Sequence, residues 1–226
     1  LIKNSGHRKN LEVDFFGGEP LLNWDVVKKT VEYGLVRGKE CDKNFRFTLT
    51  TNGLLIDDDV IEFANREMSN VVLSLDGRKE INDRMRKMKN GLGTYDIVVD
   101  KFKKLVDKRG NKDYYIRGTY TKNNLDFTQD ILHMAELGFR ELSMEPVVAE
   151  DGENYAIDRG DLDIIFENYD ELSEEIVKRY GSDQEFYFYH YTVDFTGGPC
   201  IAKRLSGCGV GTEYLAITPD GELFPC

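Results

Sequence analysis

Three short segments place polar chemistry at the ends of apolar runs. The first is Phe15-Phe16-Gly17-Gly18-Glu19-Pro20-Leu21. Paired glycines let backbone amides and carbonyls come close to a ligand, and the acid beside them can accept hydrogen bonds from an ammonium group. Taken alone, the segment reads equally well as a strand-to-helix turn with an acid at the helix start. The second is Thr50-Thr51-Asn52-Gly53, in which Asn-Gly is a common turn pair. The third is Ser74-Leu75-Asp76-Gly77, whose hydroxyl and carboxylate suit a ribose, although Asp-Gly is also an ordinary turn. Arg84 and Arg86 follow within a charged stretch, 78–89, most of which is expected to be solvated. Arg117 sits between Ile116 and Gly118 in an apolar run; pointing inward it needs an anion or water, and outward it needs neither. Each signal is weak by itself. In this order, at successive strand ends, they describe one ligand face with donors, acceptors and room for backbone contact.

The cysteines form a second constellation. Cys41 stands alone, whereas Cys200, Cys208 and Cys226 cluster near the end among glycines. Thiolates in a glycine-rich loop are suitable soft ligands for an iron–sulfur cluster. Zinc competes, but the wide spacing lacks the Cys-x₂₋₄-Cys knuckle, and three unrelated buried thiols remain the bland alternative. A disulfide-scaffolded domain would spread an even set through a short chain, so a cytoplasmic location is expected.

These residues need a scaffold. The chain has 226 residues, 40% hydrophobic and 31% charged, enough for one sizeable core. A net charge of −11 argues against a general nucleic-acid binder, and no apolar run approaches the ~20 residues that span a bilayer. Strand patterns are read at 11–16, 45–50, 70–75, 114–120 and 141–145, rich in branched and aromatic residues and ending at turn formers. Between them lie helical patterns. Asn23 precedes Trp24, Val27, Val31 and Leu35; Asp57 to Asp59 open the next; Tyr95 to Val106 follow helical spacing up to Gly110; Phe127, Ile131 and Ala135 stop at Gly138; Leu162 to Tyr180 is long and amphipathic. This alternation predicts an α/β fold with a parallel sheet, arranged as an open or partial (β/α) barrel, with a doubly wound sheet as the alternative. Either way, the ligand face lies at the carboxyl ends of the strands. A change to aromatic and then Gly/Cys-rich sequence between Gly181 and Asp194 divides the chain into 1–182 and 183–226.

The order Gly-Gly-Glu, Thr-Asn-Gly and Ser-Leu-Asp-Gly resembles the radical S-adenosylmethionine (SAM) enzymes over nearly the whole chain. The resemblance implies a partial (β/α)₆ barrel lacking its first βα unit. It also implies that Gly17, Gly18 and Glu19 meet the methionyl amine of SAM, that Ser74 and Arg86 meet its ribose and carboxylate, and that Asn52 lines the same face. The Cys208-x₁₂-Gly221-x₄-Cys226 spacing, with Cys200 upstream, is similar to the opening of the SPASM extension, whose cysteines bind auxiliary [4Fe-4S] clusters. Asn10 to Leu21, Arg117 to Thr121, Met144 to Val148 and Gly198 to Arg204 resemble the six-cysteine peptide maturases. Those use a 5′-deoxyadenosyl radical to join a Cys sulfur to the α-carbon of a Thr in a ribosomal peptide. The partners so implied are a Cys-rich precursor peptide and a reductant protein such as flavodoxin or ferredoxin, with no nucleic acid and no membrane. The runners-up are an anaerobic sulfatase-maturing enzyme that makes formylglycine, a non-catalytic peptide-binding module, and a metal-independent phosphate-binding barrel. The family's Cys-x₃-Cys-x₂-Cys loop is absent from the sequence, so the expectation is a fragment that by itself does not cleave SAM, with no catalytic residue of its own assigned.

Overall fold

In the first strand Leu11, Val13 and Phe15 turn toward the core while Asn10, Glu12 and Asp14 stay exposed. The same alternation runs through the strands that follow, so one face of the sheet is apolar and the other polar. The protein is described by a computed structural model covering residues 1–150, 152–192, 210–211 and 213–225. It divides into two compact units, Leu1–Tyr189 and His190–Cys226.

The first unit carries β1 (Asn10–Phe15), β2 (Asn44–Thr51), β3 (Asn70–Ser74), β4 (Asp113–Tyr120), β5 (Glu141–Pro146) and β6 (Tyr187–Phe188). All neighbours are parallel and the spatial order is the sequence order. A doubly wound sheet must reverse its strand order at a switch point. Here there is none, and successive right-handed crossovers place the helices on one face. The architecture is therefore the barrel-like alternative. The helices are α1 (Trp24–Glu40), α2 (Asp58–Glu67), α3 (Lys79–Met85), α4 (Tyr95–Asp107), α5 (Phe127–Glu136) and α6 (Leu162–Arg179). Two elements of this unit were not foreseen. The seven-residue α3 lies inside the charged stretch 78–89 and buries only Ile81 and Asn82. Strand β6 lies in the aromatic stretch after α6 and pairs with Glu141 and Leu142.

The core fills the space between the helices and the apolar face: Phe47 and Leu49, Val71 and Leu73, Ile116, Leu142 and Met144 from the strands, with Val31, Ala64, Phe102, Ile131 and Leu172 from the helices. Arg109 is a buried strut in this layer. It donates to the carbonyls of Ala64, Met68, Ser69 and Asp113 and to Asn65 Oδ1. Burial pushes its guanidinium down to about 10, still charged at neutral pH, and it gathers the carbonyls of the turn after α2, while Lys112 Nζ takes the helix-end carbonyls of Asn65 and Arg66. The second unit contains an antiparallel hairpin, β7 (Ala216–Ile217) with β8 (Leu223–Phe224), turned through Thr218-Pro219-Asp220-Gly221.

Gly118 in β4 is fixed by space. A methyl there would come 2.7 Å from the Leu75 carbonyl oxygen and 2.7 Å from Met144 Cε. Gly118→Ala is expected to lower stability by about 1–3 kcal/mol, the usual cost of overpacking, as a lower denaturant midpoint with an unchanged slope. A wild-type midpoint would contradict the packing described.

Candidate functional site

The polar face of the sheet is lined in register. Ser74, Arg117 and Ser143 are direct neighbours across β3, β4 and β5. One row nearer the amino ends lie Thr50, Val72, Tyr115 and Glu141. Parallel sheets are normally covered on both faces, and barrel interiors are normally packed with branched apolar side chains. This face instead carries hydroxyls, carboxylates and guanidinium groups, so it is built to meet polar material. Arg117 is exposed and forms no ion pair or hydrogen bond through its side chain among the described residues. Burial, and then the Asp113 charge, push the Glu141 carboxyl above its ordinary range, and burial likewise raises the Tyr115 phenol.

The three segments singled out in the sequence all lie at the carboxyl ends of adjacent strands. After β1, Gly17 and Gly18 take φ values of 84° and 53°, and a methyl on either would meet nothing within 4 Å. Their requirement is thus conformational, and their backbone remains open. Glu19 then reaches across to the end of β2. Its Oε1 accepts from Leu21 N–H at 3.1 Å and from Thr51 Oγ1 at 2.7 Å, and its Oε2 accepts from Asn52 N–H at 2.7 Å. Asn52 Oδ1 accepts from Leu54 N–H at 3.0 Å, closing a local turn.

At the end of β3, Ser74 is partly exposed and its hydroxyl has no partner among the described residues. Asp76, only 4% exposed, takes Arg86 in a two-pronged pair, Nε to Oδ2 and Nη2 to Oδ1, both 2.8 Å. Asp76 Oδ1 also accepts from Thr119 N–H of β4 at 3.0 Å. The structure therefore gives Arg86 a partner within the chain and leaves its Nη1 edge for anything further. One step along, the fully buried Asp130 of α5 accepts from the Arg78 backbone N–H at 3.0 Å, from Arg78 Nε at 2.7 Å and from Asn124 Nδ2 at 3.1 Å. Arg84 is exposed on α3. The Asp76 carboxylate was read as a group suited to a ribose, whereas it is taken by Arg86 and Thr119 N–H; Thr51 and Asp130 were not read as site residues. The only sequence signal for Thr51 was its place beside the Asn-Gly pair, and Asp130 lies mid-helix with none. Cys200, Cys208 and Cys226 lie outside the described residues.

A cavity of about 880 Å³ opens at the other end of the sheet, lined by residues such as Glu12, Arg46, Asn70, Tyr115 and Glu141. None of the strand-end segments lines it, although it shares Tyr115 and Glu141 with the polar face. Among the described residues no group of three or more His, Cys, Asp or Glu could hold a metal, and no helix is long and apolar enough to cross a membrane.

A family model described as "Radical SAM superfamily" matches residues 2–134. The chain is 24% identical to the radical SAM cyclopropyl synthase TigE of Paramaledivibacter caminithermalis, over 97% of this chain and 44% of that protein. It is 27% identical to a cysteine-type anaerobic sulfatase-maturating enzyme of Clostridium perfringens, over 94% of this chain and 58% of that one. The chain thus spans about half the length of these curated relatives. A solved structure described as native anSMEcpe with bound AdoMet and Kp18Cys peptide aligns with a TM-score of 0.72 at 23% identity, over 84% of this chain and 53% of that chain. At that identity the likeness shows the fold.

The Asp76–Arg86 pair can be tested directly. Asp76→Ala leaves a half-buried guanidinium and the Thr119 N–H without their acceptor. The expected loss is about 3 kcal/mol, the lower end for a broken buried pair because Arg86 keeps some solvent contact. In a double-mutant cycle with Arg86→Met, measured by denaturant unfolding, the second substitution should add little; full additivity would contradict the pairing.

Proposed function

The chain belongs to the radical SAM superfamily, and on that premise we propose that the strand-end segments form the SAM-binding part of a peptide-modifying enzyme. The observation that carries the proposal is that Gly17-Gly18-Glu19, Asn52, Ser74 and Arg86 stand at the carboxyl ends of three adjacent parallel strands beside a polar sheet face. The residues present fit SAM: an open glycine backbone, a hydroxyl with no partner among the described residues, and cations at the anionic end. They do not by themselves fit the [4Fe-4S] cluster that the family uses. Cys41, the one described cysteine that is free, caps the end of α1 just before β2 begins, on the side away from the strand ends.

Bound here, SAM would supply the family's hydrogen-atom-abstracting chemistry toward the substrate. The chain's contribution is placement and exclusion of water. The backbone of Gly17 and Gly18 accepts from the ammonium. Ser74 would donate to the ribose, Asn52 would line the same face through its side-chain amide, and Arg86, its guanidinium plane fixed by Asp76, would meet the carboxylate. Arg117, next to Ser74 in register, supplies a second cation on the concave face.

We further propose a Cys-rich ribosomal precursor peptide as substrate, a Cys-to-Thr α-carbon thioether as product, and a flavodoxin- or ferredoxin-like reductant, in the cytoplasm. Residues 183–226 would open a SPASM extension in which Cys200, Cys208 and Cys226 contribute to an auxiliary cluster. The formylglycine reading keeps support from the likeness to a sulfatase-maturating enzyme.

Two measurements test these statements. With anaerobically prepared full-length protein, Ser74→Ala should weaken SAM binding about tenfold, the worth of one well-placed hydrogen bond, and unchanged affinity would remove Ser74 from the site. With precursor peptide, a thioether product loses the mass of two hydrogen atoms, consumes one thiol and ignores carbonyl reagents. A product labelled by a hydrazide would establish the aldehyde instead.

A further inference from the structure

Glu19 is the acid that the sequence offers to the SAM ammonium, yet its carboxylate is already engaged within the chain. A carboxylate presents about four acceptor positions, and three are taken: Leu21 N–H and Thr51 Oγ1 on Oε1, and Asn52 N–H on Oε2. Two of these donors belong to the end of β2, so the acid ties the segment after one strand to the segment after the next.

The hydroxyl of Thr51 has a forced direction. Gly53 N–H can only donate, and it reaches Thr51 Oγ1 at 3.1 Å. An ionised carboxylate can only accept, so the Thr51 hydroxyl hydrogen must point at Glu19 Oε1, 2.7 Å away. The result is a directed relay, Gly53 N–H to Thr51 O–H to Glu19. Thr51 is 1% exposed, so water does not substitute for it. Its neighbour Thr50 points to the opposite face, as strand alternation requires.

We propose that Thr51 is a positioning residue for cofactor binding: its hydroxyl holds the Glu19 carboxylate, which in turn fixes the Gly17–Gly18 backbone as the acceptor of the ammonium. In this arrangement Glu19 acts through the loop and makes no charge contact with the cofactor. The proposal rests on the reading of the strand ends as the SAM site.

The test uses equilibrium binding of SAM to anaerobically prepared full-length protein. Thr51→Val keeps shape and removes the relay; Thr51→Ser keeps the hydroxyl. Thr51→Val should weaken SAM about tenfold, and Thr51→Ser should stay within about twofold of wild type. Glu19→Gln places an amide NH₂ against a donor, and should cost about as much as Thr51→Val. The double variant should be no weaker than the worse single, because both break one unit. Amide exchange at Asn52 and Gly53 should speed up in Thr51→Val and not in Thr51→Ser, a readout independent of catalysis and one that also reports whether the variant is folded. If wild type binds SAM and Thr51→Val binds it equally, while Glu19→Gln alone loses affinity, Glu19 contacts the ammonium directly and this inference falls alone. If wild type binds no SAM, the reading of the site falls as well.

Discussion

Three carboxylates hold the strand-end loops to one another, and the arrangement of the site depends on them. Glu19 joins the segment after β1 to the end of β2. Asp76 joins the segment after β3 to the backbone of β4 and to Arg86. Asp130 reaches from α5 to the backbone and side chain of Arg78. Each accepts at least one backbone N–H that no ladder satisfies, which is the general way a buried carboxylate repays its desolvation. Loops at the end of a sheet are otherwise its most mobile parts. Tied in this way, they present a fixed outline, and pre-organisation of that kind lets a site bind without ordering itself first.

The sheet supplies the other half of the arrangement. Sequential strand order puts every helix on one face, and the apolar residues follow them there. The concave face is left with Ser74, Arg117, Ser143, Thr50 and Glu141. A parallel sheet whose inner face is polar has given up the core packing that barrels usually gain there. That surface is consistent with use by a cofactor and a substrate, and membership of the radical SAM superfamily gives this a chemical meaning.

Much of the scaffold was legible in the sequence because its signals are local. Val13 and Phe15, or Val98, Phe102 and Leu105, declare strand and helix through spacing alone. Two elements were hidden for physical reasons. The α3 helix buries only Ile81 and Asn82, too little for a period to emerge from the charges around it. Strand β6 is two residues long and owes its identity to its neighbour β5. At the strand ends the sequence marks individual polar residues but not the bonds between them. Arg86 could be read as a cation, but its pairing with Asp76 depends on how α3 folds back. Glu19 could be read as an acid, but two of its three donors lie more than thirty residues away at the end of β2. Long-range partners of this kind leave no periodic trace.

The central claim is that the ends of β1, β2 and β3 together form the surface that receives SAM. Hydrogen exchange by mass spectrometry, with and without SAM, on anaerobically prepared full-length protein tests it most directly. The account predicts slower exchange confined mainly to the segments around Gly17–Glu19, Asn52–Gly53 and Ser74–Gly77. Saturable SAM binding that leaves those three segments unchanged, or that protects the cavity around Asn70 and Lys112 at the opposite end, would contradict it.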